Sequence, residues 1–79
     1  MSVEQQVKEV IAETLSLKPE EIDVSAKLSE AYDLDSTEAV DLRVALEKRF
    51  GIKFETSEVA KQSTTQEIIA AVAGKQNGS

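Results

Sequence analysis

The chain is 79 residues long, contains neither cysteine nor histidine, and has a formal net charge of -6. Its length allows one domain burying only about 60% of the unfolded chain's surface, and its missing residue types exclude disulfides, thiolate metal sites and the parts of a Ser-His-Asp or Cys-His mechanism. Residues 30 to 47 form the acidic pole, with six acidic groups and one basic, against six and three before them and three and five after.

That field repels nucleic acid and anionic membranes and attracts basic protein surfaces. A solvated face that only keeps the chain in solution explains the same asymmetry. The start, Met1-Ser2-Val3-Glu4-Gln5-Gln6, has no basic or apolar leader, and no apolar run approaches the ~18 residues of a membrane span. A cytoplasmic address is the expectation.

Three sites read as helix starts by the same chemistry. Ser2-Val3-Glu4-Gln5, Asp35-Ser36-Thr37-Glu38 and Thr64-Thr65-Gln66-Glu67 each place a capping side chain three residues before Glu or Gln. From the first, Val3, Val7, Val10, Ile11 and Leu15 form an amphipathic stripe that ends before Lys18-Pro19, because a residue preceding proline resists helical angles. Residues 17 to 34 read as a long loop. Leu17, Ile22, Leu28, Tyr32 and Leu34 anchor it, with a short helical turn at Pro19 to Ile22.

The second helix is expected from Ser36 to about Phe50, with Gly51 stopping it in the left-handed conformation. Its pattern offers two apolar faces. Ala39, Leu42, Leu46 and Phe50 carry the larger side chains and lead into Ile52 and Phe54, so this face is assigned inward. A brief helix near Thr56 to Lys61 and a last one from Thr65 to about Ala73, burying Ile68, Ile69 and Val72, complete the pattern. Nothing alternates as a strand does. The expected class is all-α, a small four-helix bundle of three long helices and one short, with a long loop between helices I and II. One domain over residues 1–74 and a disordered tail at 75–79 are expected.

If Asp35 is the cap, Ser36 occupies the first helical position and projects outward at the positive end of the helix dipole. A phosphate attached there meets free amides, opposed by the carboxylates of Asp33, Asp35 and Glu38. Such a site suits a modification made by another protein that brings its own cations. Asp-Ser before a helix is also an ordinary cap, and the dipeptide alone does not separate the two. On the outer face, Val40 and Val44 lie among Glu38, Asp41 and Glu47. This is the anatomy of a weak docking site, and equally that of peripheral core at Val44.

Leu34-Asp35-Ser36-Thr37-Glu38-Ala39-Val40-Asp41-Leu42 resembles the Asp-Ser-Leu motif and acidic second helix of the acyl carrier proteins of fatty acid and polyketide synthesis. The similarity extends through Val7-Lys8-Glu9-Val10-Ile11, Lys18-Pro19-Glu20-Glu21-Ile22, Ala45-Leu46-Glu47, Phe50-Gly51-Ile52 and Ser63-Thr64-Thr65, covering residues 3 to about 74. The resemblance implies a carrier domain, not an enzyme. Ser36 would bear a covalent 4′-phosphopantetheine derived from coenzyme A, with Asp35 completing the motif. A phosphopantetheinyl transferase would install it, and synthase and acyl-transferring enzymes with basic surfaces would meet Glu38, Val40, Asp41, Val44 and Glu47. No resident metal and a monomeric state are expected.

The chain departs from that family pattern at several positions. Asp33 stands where glycine is usual, Thr37 where Leu or Met is usual, and Arg43 where a small aliphatic residue commonly lines the acyl pocket. Lys48 and Arg49 replace residues that are often acidic. Arg43 is expected to snorkel to the surface, and long acyl chains to be poorly sheltered. A peptidyl or D-alanyl carrier keeps the same Ser36 chemistry, and an unmodified helical interaction domain keeps the bundle without it. An EF-hand opening at Asp33 is excluded, because it would place Glu38 where glycine is required and Val44 where a bidentate Glu is required.

Overall fold

The structure, a computed structural model, describes residues 2–77. Its elements are α1 (Val3–Leu15), a 3₁₀ turn at Pro19–Glu21, α2 (Leu28–Tyr32), α3 (Ser36–Phe50), a 3₁₀ turn at Thr56–Glu58 and α4 (Thr65–Asn77). Helix α1 packs against both α3 and α4. Among the described residues there is no strand, and no helix is long and apolar enough to cross a membrane.

Local chemistry sets the ends of α1. The Gln5 amide donates to Ser2 Oγ at 3.1 Å, and the helix closes at Ser16, whose φ of 59° is left-handed. There the Leu17 amide reaches back to the Ala12 carbonyl at 2.8 Å, and Leu17 packs on the core, as a Schellman ending requires. The buried stripe is Val7, Val10, Ile11 and Ala12, flanked by the partly buried Val3 and Leu15.

On α3 the predicted choice of face holds. Ala39, Leu42 and Leu46 are buried, whereas Val40 and Val44 are 46% and 37% exposed. Each leucine carries one methylene more than a valine, worth about 0.8 kcal/mol when buried, which favours the leucine face inward. Gly51 takes φ 67° and its amide caps the Glu47 carbonyl at 2.8 Å, as expected.

Three expectations need correction. The short α-helix is α2, inside the segment read as loop, whereas Thr56 to Lys61 forms only the single 3₁₀ turn Thr56–Glu58. Tertiary partners account for α2. Leu28 and Ser29 donate their amides to the carbonyls of Ser63 and Lys61, at 3.0 and 2.8 Å, beside an isolated antiparallel bridge between Lys27 and Thr64. The Tyr32 hydroxyl receives the Asp23 amide, and the Ser25 hydroxyl and amide hold the Asp23 carboxyl below its usual range.

The third correction concerns the end of the chain. Residues 75 to 77, read as part of a disordered tail, continue α4 to Asn77. Lys75 pairs with Glu58 at 3.0 Å and lies 5.5 Å from the centre of the Phe54 ring, contacts that hold the last turns of the helix. Gly78 and Ser79, the remainder of that tail, lie outside the described residues.

Candidate functional site

The start of α3 is built by a reciprocal cap. Asp35 is extended, with φ -99° and ψ -179°, and its Oδ1 accepts the Glu38 amide at 2.8 Å while the Asp35 amide donates to Glu38 Oε1 at 3.3 Å. This leaves Ser36 as the first helical residue. Ser36 is exposed, and its hydroxyl makes no hydrogen bond among the described residues. The amides of a first helical turn lack intrahelical acceptors, so an anion carried on Ser36 Oγ meets donors and the positive end of the dipole.

Just upstream, Asp33 closes α2 with φ 57° and ψ 36°. This is the left-handed region, in which a glycine would be unstrained and an aspartate is tolerated. The departure from glycine at this position therefore places strain and a negative charge three residues before Ser36.

Beside Ser36 lies a cleft of about 220 Å³. Ser36, Ala39, Val40 and Arg43 of α3 form one wall, and Thr56, Val59, Ala60, Lys61 and Gln62 form the other. The second wall was not legible in the sequence as part of a site. Its one signal was Val59, an apolar residue in a polar stretch, which proves to be buried.

Among the expected docking residues, Val40, Asp41 and Val44 are exposed and Glu38 is half-buried in the cap. Glu47 is different. Its Oε2 accepts the Phe54 amide at 2.9 Å and lies 3.6 Å from the Arg43 guanidinium, with only 16% of the side chain exposed. The predicted snorkelling of Arg43 is therefore partial: the side chain lines the cleft, is 26% exposed and pairs with Glu47. From Ser36 onward, the residues that an EF-hand loop would need are helical.

The capped start of this acidic helix thus presents an exposed serine with an uncommitted hydroxyl beside a small cleft. The sequence family described as a phosphopantetheine attachment site matches residues 5–72, and the chain belongs to that family. Membership implies a covalently attached 4′-phosphopantetheine and the role of a carrier.

Named relatives agree. The chain is 36% identical over 73 residues to an acyl carrier protein of Petrotoga mobilis, covering 92% of this chain and 86% of the relative. It is 32% identical over 72 residues to an acyl carrier protein of Campylobacter hominis, covering 91% of each. A third, from Thermosynechococcus vestitus, is 32% identical over 71 residues, covering 90% of this chain and 88% of the relative.

Proposed function

We propose that Ser36 is the attachment point of the phosphopantetheine arm and that the chain presents acyl intermediates to partner enzymes of fatty acid, lipid or polyketide synthesis. The observation that carries this reading is the exposed, uncommitted Ser36 hydroxyl at the first position of α3. Attachment forms a bond from Ser36 Oγ to the phosphorus bearing the pantetheine and breaks the pyrophosphate of coenzyme A. The adenosine bisphosphate leaves, and the serine proton goes to a base of the transferase, which also brings Mg²⁺.

When bound, the arm supplies a terminal thiol that holds acyl groups as thioesters, chemistry a chain without cysteine otherwise lacks. The chain's own residues do the rest. Asp35 and Glu38 hold Ser36 at the helix start, and Val40, Asp41 and Val44 face the partner. The chain acts as a cytoplasmic, monomeric carrier and not as a catalyst.

The test is intact mass after incubation with coenzyme A and a broad-specificity phosphopantetheinyl transferase. The expected result is a gain of one phosphopantetheinyl group, absent in Ser36→Ala. No gain in the native chain would sink the reading and favour an unmodified interaction domain. The cargo mass on protein from its own cell separates an acyl carrier from a peptidyl or D-alanyl one.

The cleft favours short cargo. It is small, and the Arg43 guanidinium on its α3 side, paired with Glu47, resists burial under a long alkyl chain. Loading short and long acyl arms should leave the NMR shifts of the core methyls of Leu42, Leu46 and Ile68 nearly the same. Large, length-dependent shifts there would reject this preference.

A further inference from the structure

The outward face of α3 changes sign along its length. Near Ser36 it is acidic, with Glu38 half-buried and Asp41 exposed. The next acid, Glu47, is turned inward to the Phe54 amide and Arg43, so the acidic pole ends at Asp41. Beyond it, Lys48 and Lys53 are exposed and make no ion pair among the described residues.

Arg49, by contrast, is paired with Glu9 of α1 at 3.2 Å. Lys48 and Arg49 both complement the carbonyl end of the helix dipole, but Lys53 lies beyond the helix and has no such role. Lys48 and Lys53 also share one groove of about 330 Å³ with Val44, Ile52 and Glu47, whose carboxylate is already engaged by the Phe54 amide and Arg43. Val44 is one of the two exposed large apolar residues among those described, so this groove continues the surface that begins at Val40.

We propose that this face docks a partner protein surface of two signs. Basic side chains sit opposite Glu38 and Asp41, an acidic side chain opposite Lys48 and Lys53, and an apolar side chain between them on Val44 and Ile52. With a helical rise of 1.5 Å per residue, the partner's charges opposite Glu38 and opposite Lys48 lie about 15 Å apart. The proposal rests on the carrier reading for the identity of the partner, an acyl-handling enzyme. It adds that a uniformly basic docking surface is the wrong fit, and that the charge reversal fixes which way round the carrier lies. Like charges set opposite each other discriminate against wrong partners more strongly than matched ones add affinity.

The experiment uses the full ¹⁵N-labelled chain without its arm and two synthetic helical peptides sharing one row of leucines. One peptide carries arginine at both ends, and the other carries arginine at one end and glutamate at the other. The two-sign peptide should bind about threefold to tenfold more tightly, as two exposed ion pairs allow. A spin label at its glutamate end should broaden the amides of Lys48, Ile52 and Lys53 more strongly than those of Thr37 and Glu38. The pair Lys48→Glu and Lys53→Glu should invert the preference, and Lys48→Gln with Lys53→Gln should abolish it. Unchanged core shifts would verify folding of each variant.

The proposal is overturned if neither peptide perturbs α3, if the all-basic peptide binds the native chain equally or better, or if the variants keep the native preference. Ser36 modification is scored separately by mass. A normal mass gain with a failed peptide test removes only the two-sign surface, and the converse removes the carrier reading.

Discussion

The Phe54 amide donates to Glu47 Oε2 at 2.9 Å, tying the segment after Gly51 back onto α3. A carboxylate that looks like part of an acidic docking strip in the sequence thus serves the fold.

Glu47→Ala should therefore act on stability. Leaving the part-buried Phe54 amide without its acceptor should cost about 1–3 kcal/mol, and Glu47→Gln, which keeps an acceptor oxygen, should recover much of it. Urea unfolding of the three proteins gives the comparison. Equal midpoints for Ala and native protein would show that the bond contributes nothing.

Asp33 is the second site. Replacing it with glycine removes a left-handed non-glycine residue, whose conformation carries a penalty of roughly 1–2 kcal/mol for most side chains and less for aspartate. Asp33→Gly should raise the melting temperature by a few degrees, about 4–8 °C for each kcal/mol in a domain of this size. A lower melting temperature would mean that Asp33 makes a contribution beyond its backbone.

Thr65 is fully buried, and its hydroxyl has no hydrogen-bond partner among the described residues. Valine keeps the shape and removes the unsatisfied group, so Thr65→Val should stabilise by about 1 kcal/mol or more. Thermal melting decides it. Destabilisation would imply that the hydroxyl finds a partner in solution.

Glu58 links acidity to the end of α4. Its carboxyl is held below the ordinary 4.5, first by the Glu55 amide at 2.7 Å and then by Lys75 at 3.0 Å. The folded state thus favours the charged form. Its contribution is present above the ordinary value and fades as pH falls through the lowered one. For a solvent-screened pair the effect is at most about 1 kcal/mol. Melting temperatures across the acid range should fall less steeply for Glu58→Gln than for the native chain. Parallel curves would contradict the assignment.

Much of this fold is legible residue by residue because its long helices carry their own boundaries. Ser2 and Asp35 cap, Gly51 stops, and the spacing of Leu42 and Leu46 selects a face; each of these acts within a turn or two of itself. The same local rule placed Ser36 at the first position of α3, where the structure has it. Helix α2 was not, since five residues are too few to show a period and Lys27 gives no side-chain cap. Its first two amides are satisfied by carbonyls more than thirty positions away, at Ser63 and Lys61.

Sequence alone determined the three long helices, the inward face of α3 and the exposed serine, because caps, periodicity and side-chain size act over short distances. Tertiary structure decided the rest. It extended α4 through the Lys75–Glu58 pair, set Val59 and Lys61 across a cleft from Ser36, and turned Glu47 inward while Lys48 and Lys53 remained outside. Those outcomes depend on which distant groups meet, and a charge in a sequence does not reveal whether its partner is solvent, a backbone amide or another chain.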